Sequence, residues 1–139
     1  MDPMQALREL TEISSQIEAA CLFDASGTQA ASTLAGDDAT RRFVDAARAL
    51  LDAASSVPRP ADAGPLAQLE AATLEGSVFV VLHDQLAAAA ATGPEPTVGL
   101  VFYDLKTLLR QIADGDGAPA GGASPNGAAV AEEDGDGAA

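Results

Sequence analysis

The run Ser77 to Leu82, S-V-F-V-V-L, constrains this chain more than any other stretch. It is short, continuously apolar and rich in Val and Phe. Such a run reads as a strand buried on both faces rather than as a helix. His83-Asp84-Gln85 is a polar break of turn length. Leu86 to Ala91 then returns as a strand made almost wholly of alanine. Small side chains on a strand let a helix pack close against it. The pair predicts a hairpin at the middle of one sheet, with helices laid on it.

The rest of the chain supplies those helices and the outer strands. Asp2-Pro3 suits a helix start, with Asp as cap and Pro at the first helical position. Met4, Leu7, Leu10 and Ile13 follow at helical spacing, which predicts a helix from Asp2 to about Ser15. Ile17 to Phe23 alternates Ile17, Ala19, Cys21 and Phe23 against Glu18, Ala20 and Leu22, the period of a strand. Asp24-Ala25-Ser26-Gly27 reads as a turn into a weak strand, Thr28 to Thr33. Ala35-Gly36-Asp37-Asp38 closes this hairpin, and Asp37 and Asp38 read as caps for the next helix.

Asp38 to Val57 has the strongest helical pattern. Phe43, Ala47, Leu50 and Ala54 form one stripe. Val44, Arg48, Leu51 and Ser55 form a second stripe beside it. Together they are wider than one core contact requires. Pro58-Arg59-Pro60 stops the helix. Leu66 to Thr73 sets Gln68 and Glu70 against Leu69 and Ala71, as in a half-wet strand at a sheet edge. After the rigid connector Gly93-Pro94-Glu95-Pro96, Thr97 can cap a last helix. Val98, Val101, Leu105, Leu108 and Ile112 lie along one face, and Lys106 and Arg110 read as cations near its end.

The order is helix, two strands, helix, three strands, helix. It predicts an α+β domain over residues 2–113: a five-stranded antiparallel sheet flanked by three helices, α-β-β-α-β-β-β-α, in a profilin-like sandwich. Residues 114–139 are Ala, Gly, Asp, Glu, Pro, Ser and a single Asn, with Val130 as the one larger aliphatic. Six of the 21 acidic residues fall there, with no Lys or Arg. This composition predicts a disordered acidic tail, a spacer or an electrostatic contact for a basic partner.

The formal net charge of −14 argues against nucleic-acid binding, which needs a basic surface to displace counterions. It argues equally against docking on anionic membranes. No apolar segment approaches the roughly 20 residues that span a bilayer, so direct membrane insertion is not expected. The start Met1-Asp2-Pro3-Met4 lacks signal-peptide character. With a single cysteine, Cys21, no internal disulfide can form. A soluble cytoplasmic protein is the expectation.

The chemistry-bearing residues are sparse. Cys21 on an alternating strand reads as a buried small hydrophobe. His83 reads as a surface turn residue, since no second His exists to share a metal site. No phosphate-binding loop, no catalytic triad and no metal-ligand spacing occurs. The expectation is a non-catalytic protein without cofactor or metal. Arg41, Arg42 and Arg48 are three of only seven bases. They read either as partners of Asp38, Asp45 and Asp52 at helical spacing or as contacts to another protein.

These residues together resemble the Roadblock/LC7 (MglB-like) family over about Met4 to Ile112. The resemblance is carried by Leu7-x-x-Leu10-x-x-Ile13 leading into Ile17-x-Ala19-Ala20-x-Leu22-x-Asp24-x-x-Gly27, and by the long helix after it. A strand pair ending at Leu82, then Leu86-Ala87 and Gly99-Leu100-x-x-x-Asp104-Leu105-x-x-Leu108, complete it. The chain departs from the family in its small, polar second strand, Thr28 to Thr33, and in the acidic tail. The resemblance implies a noncatalytic homodimer in which two long helices lie side by side and two third strands meet edge to edge. It further implies binding to a small Ras-like GTPase as scaffold, regulator or co-activator, often beside a sensor-kinase-like protein.

The interface candidates are therefore Arg41, Val44, Arg48, Leu51 and Ser55 on the helix, and Gln68 and Glu70 on the strand. An alternative of another class is a sensory module holding a small ligand between helices and sheet. The alanine-rich strands favour close packing over such a cavity.

Overall fold

The computed structural model describes residues 2–24 and 26–117. Its elements are α1 (Pro3–Ile13), β1 (Ile17–Asp24), β2 (Gln29–Ser32), α2 (Asp37–Ser55), β3 (Gln68–Ala72), β4 (Ser77–His83), β5 (Leu86–Thr92) and α3 (Val98–Gly117). The five strands form one sheet in the order β2-β1-β5-β4-β3, every neighbouring pair antiparallel. The alanine strand β5 is central, as its composition predicts, and the last three strands form a meander. His83 belongs to β4, so the loop of that hairpin is Asp84-Gln85, with Asp84 in the left-handed region at φ 56°.

Two cores lie on opposite faces of the sheet. On one, α1 and α3 bury Leu7, Leu10, Leu105 and Leu109 against Leu22, Phe79, Val81, Ala88 and Ala90. Phe79 also meets Phe102 edge to face, with ring centroids 5.0 Å apart. On the other, α2 alone packs Val44 and Ala47 against Cys21, Phe23, Val80, Ala87 and Ala89. Strict alternation places Val80 on the α2 side and Phe79 and Val81 on the α1–α3 side, which is why the whole β4 run is apolar.

Several local expectations are corrected. The periodicity puts Ile17 in phase with Cys21 and Phe23. In the structure a bulge between Ile17 and Ala19 shifts the β1–β5 register, and Ile17 joins the opposite core with Ala20 and Leu22. The expected stripe Met4, Leu7, Leu10, Ile13 is buried only at Leu7 and Leu10, with Ala6 beside them, while Met4 and Ile13 are exposed. A spacing of three slips about 60° per step around a 3.6-residue helix, so the ends of such a stripe rotate away from the core. Likewise Val98 is partly exposed, whereas Val101, Leu105, Leu108 and Ile112 are buried.

The caps and charges of the helices account for the rest. Asp2 caps α1 as expected, its carboxylate accepting from Gln5 N at 3.0 Å. Asp37 and Asp38 do not cap α2. Its N-cap is Gly36, at φ 90° and without a side-chain bond, and the two acids occupy the first turn, where they suit the helix dipole. Helix α3 continues past Ala113 to Gly117, so Lys106 and Arg110 stand in its interior rather than its last turn. The remainder of the expected acidic tail lies outside the described residues. Among the described residues, no helix is long and apolar enough to cross a membrane.

Candidate functional site

The two faces of the sheet are unequally covered. Two helices, α1 and α3, close one face. Among the described residues, the other carries α2 alone. At the margin of α2 a band of apolar side chains stays half-buried: Phe43 and Leu51 on the helix, and Leu69, Val78 and Leu82 on β3 and β4. The band runs out to β3, which among the described residues has a hydrogen-bonded neighbour on one side only. An apolar band that continues into an open strand edge has the composition of a contact surface.

The sequence-derived candidates divide over this geometry. Leu51 lies in the band. Val44 does not: it is 3% exposed in the single chain, packed into the α2 core, and has no surface to offer a partner. The reason is its angular position. Val44 and Ala47 form the line of α2 that meets the sheet, so the stripe drawn through Val44 and Leu51 joins a core residue to a marginal one. Arg41 is exposed and pairs with Asp38 at 3.0 Å, and Arg42 pairs with the same carboxylate at 3.5 Å. These exposed pairs hold little energy. Ser55 is exposed at the end of α2.

Arg48 takes a different place. Its guanidinium lies over Gly27 in the β1–β2 turn. It shares a shallow depression with Asp24, Asp84, Leu51 and Leu82 at one end of the sheet. No carboxylate lies within ion-pair distance of it among the described residues. Asp24 is held by its own turn, accepting from Ser26 Oγ at 2.6 Å, Thr28 N at 2.9 Å and Ser26 N at 3.0 Å. Those bonds, led by the Ser26 hydroxyl, keep its carboxyl below the usual carboxylate range.

Gln68 and Glu70 are not on the α2 side. They pair with Val81 and Phe79, whose side chains face α1 and α3. Gln68 lies half-buried near Lys106 and Arg110, and Glu70 is exposed. The structure therefore does not gather all seven candidates into one patch. It joins Leu51 with the band, places Arg48 at the sheet end, and leaves Gln68 and Glu70 on the far face of the edge strand. The residues missed by the two-stripe reading are Leu69, Val78 and Leu82. Leu69 alternates with Gln68 and Glu70 in sequence, whereas β4 is apolar throughout, so its sequence alone does not report that Val78 and Leu82 face α2.

The reactive side chains are quiet. Cys21 is fully buried, and that burial pushes its thiol up to about 12. His83 is exposed, 3.8 Å from Asp84. Among the described residues, no group of three or more His, Cys, Asp and Glu comes together as a metal site.

No protein-family model matches the sequence, and a search of curated proteins finds no match. Solved structures do match. A Roadblock/LC7 domain from Streptomyces avermitilis aligns with TM-score 0.70 at 18% identity, over 81% of this chain and 93% of that one. Myxococcus xanthus MglB aligns with TM-score 0.61 at 10% identity, over 80% and 81%. A chain of the LokiProfilin2–rabbit actin complex aligns with TM-score 0.55 at 10% identity, over 79% and 94%. The architecture is thus an α+β sandwich of the profilin-like class. Within that class the chain has the Roadblock/LC7 fold, the one its motifs resemble.

Proposed function

We propose that this protein is a non-catalytic homodimeric adaptor that binds a small Ras-like GTPase and modulates its nucleotide cycle or localisation. The observation that carries the dimer is the unequal cover of the sheet. Among the described residues, one helix lies on the α2 face where two close the other, and Phe43, Leu51, Leu69, Val78 and Leu82 stay half-exposed at its margin. A second copy's α2 beside the first would finish that layer, and a second β3 would extend the sheet across the open edge. Arg41, Arg48 and Ser55 would then rim the paired helices, and Gln68 and Glu70 would flank the strand junction. Val44 supports this layer from beneath.

The GTPase partner rests on the Roadblock/LC7 likeness, and a sensor-kinase-like protein would be a further member of such an assembly. A cytoplasmic setting suits a buried free thiol.

Two measurements test this reading. Sedimentation equilibrium at tens of micromolar should give a dimer, and Leu51→Glu should give a folded monomer. Co-elution with a small Ras-like GTPase loaded with a GTP analogue or with GDP should depend on nucleotide. A wild-type monomer would overturn the dimer, and no GTPase binding in either state would overturn the partner.

A further inference from the structure

A second apolar surface lies on the opposite side of the molecule, where α1 and α3 pass each other. The chain after α1 is tied to the start of α3 by Gln16, whose Oε1 accepts from Thr97 N. Between the helices runs a groove. Its floor is Leu10 and Leu108, each 3% exposed. Its rims are Ile13, 75% exposed, and Tyr103, 61% exposed. Side chains of this size so open to water cost solvation unless something covers them. The charged residues lining the groove are Glu9 and Asp104, with no Lys or Arg among the lining residues.

We infer that this groove docks an amphipathic helix of a partner protein, with an apolar stripe flanked by Lys and Arg. The groove between two packed helices has the shape that receives a third, and apolar side chains at i, i+3, i+4 and i+7 would seat between Ile13 and Tyr103. The flanking cations would meet Glu9 and Asp104, which gives the site its sign. That sign also selects the occupant. A second copy related by a two-fold axis would set Glu9 and Asp104 among their own equivalents, and like charges repel. The C-terminal residues 118–139 are no better suited. They carry Glu132, Glu133, Asp134 and Asp136, no Lys or Arg, and Val130 as their only large aliphatic. The inference is independent of the α2 surface, which lies across the sheet.

The test uses the full chain and a synthetic helical peptide of about 18 residues, long enough to hold a helix, with a Leu stripe flanked by Lys. A second peptide replaces each Lys with Glu. Fluorescence anisotropy should show the Lys peptide binding, with affinity falling as salt rises. The Glu peptide should bind at least about tenfold more weakly. Amide shifts in the labelled protein should map to Leu10, Ile13, Tyr103 and Thr107. Ile13→Lys with Tyr103→Lys should lower affinity about tenfold, and Glu9→Gln with Asp104→Asn should flatten the salt dependence. Equal binding of both peptides, no binding of either, or shifts confined to α2 and β3 would overturn the inference. So would conversion of a dimer to a monomer by the Ile13→Lys, Tyr103→Lys pair, which would assign the groove to a second copy. The rim positions are exposed, so these variants should keep the wild-type melting profile, and the wild-type shift map stands without them.

Discussion

The hydroxyl of Thr40 lies 3.0 Å from Ser32 Oγ, tying the first turns of α2 to the edge strand β2. Both residues are buried, and the same Ser32 oxygen accepts from Leu34 N at 3.0 Å. The bond matters because β2 is only four residues long and, among the described residues, pairs on one side. Thr40→Val keeps the shape and removes the hydroxyl. It should cost about 1–2 kcal/mol, since a buried hydroxyl then loses a partner. Chemical denaturation should show a lower midpoint with an unchanged m-value. An unchanged midpoint would mean that water satisfies Ser32 as well as Thr40 does.

Ser14 presents the opposite case. It is 4% exposed at the end of α1, and its Oγ has no hydrogen-bond partner among the described residues. A buried hydroxyl without a partner bears its desolvation cost uncompensated. Ser14→Ala should therefore stabilise the fold by about 1 kcal/mol, read as a higher melting temperature. A loss of stability would show that the hydroxyl is bonded in solution.

Cys21 makes a prediction about pH. Burial raises its thiol from 9.0 to about 12 in the folded state. The unfolded chain therefore loses this proton first. The contribution of Cys21 to stability is constant below pH 9 and declines between pH 9 and about 12, by up to about 1.4 kcal/mol per pH unit. Cys21→Ala should remove that slope from the alkaline limb of the stability profile. A thiol reagent at pH 8 should label the native protein only at the rate of unfolding.

Gly27 sits at φ +88°, and a Cβ there would stand 2.5 Å from Arg48 Nη1. Gly27→Ala should then cost about 1–2 kcal/mol, from left-handed strain together with displacement of the guanidinium. Gly27→Ala combined with Arg48→Ala should recover the steric part and leave the strain. If the single and double variants melt together, Arg48 is not held against the turn.

Much of this architecture was legible from residue pattern because its strongest signals are local. The V-F-V-V-L run, the alanine strand and the Pro58–Pro60 stop each name an element without help from the rest of the chain. Asp2 capped α1 for the same reason. What escaped notice depends on more than one element. The bulge at Ile17 leaves no mark in the alternation that precedes Cys21. Val44 and Leu51 share a stripe on a helical wheel, yet only the position of the sheet decides that one is core and the other marginal. Glu70 is exposed on the edge strand, as its polarity suggests, but Gln68 is half-buried, and which helices that side faces follows from the order of strands. The α1–α3 groove needs Ile13 and Tyr103 brought together from opposite ends of the chain, and no spacing in sequence reports that.

The displaced residue at the start of β1 has an implication for how this strand could be shortened. Ile17 opposes Thr92 and Ala19 opposes Ala91, so Glu18 is the surplus position, and its side chain is exposed. Excising Glu18 would turn the strand into a plain alternation with Ile17 still directed beneath α1. A chain lacking that one codon should fold to the same sheet, whereas loss of Ala20 or Cys21 would reverse the sidedness of everything before it.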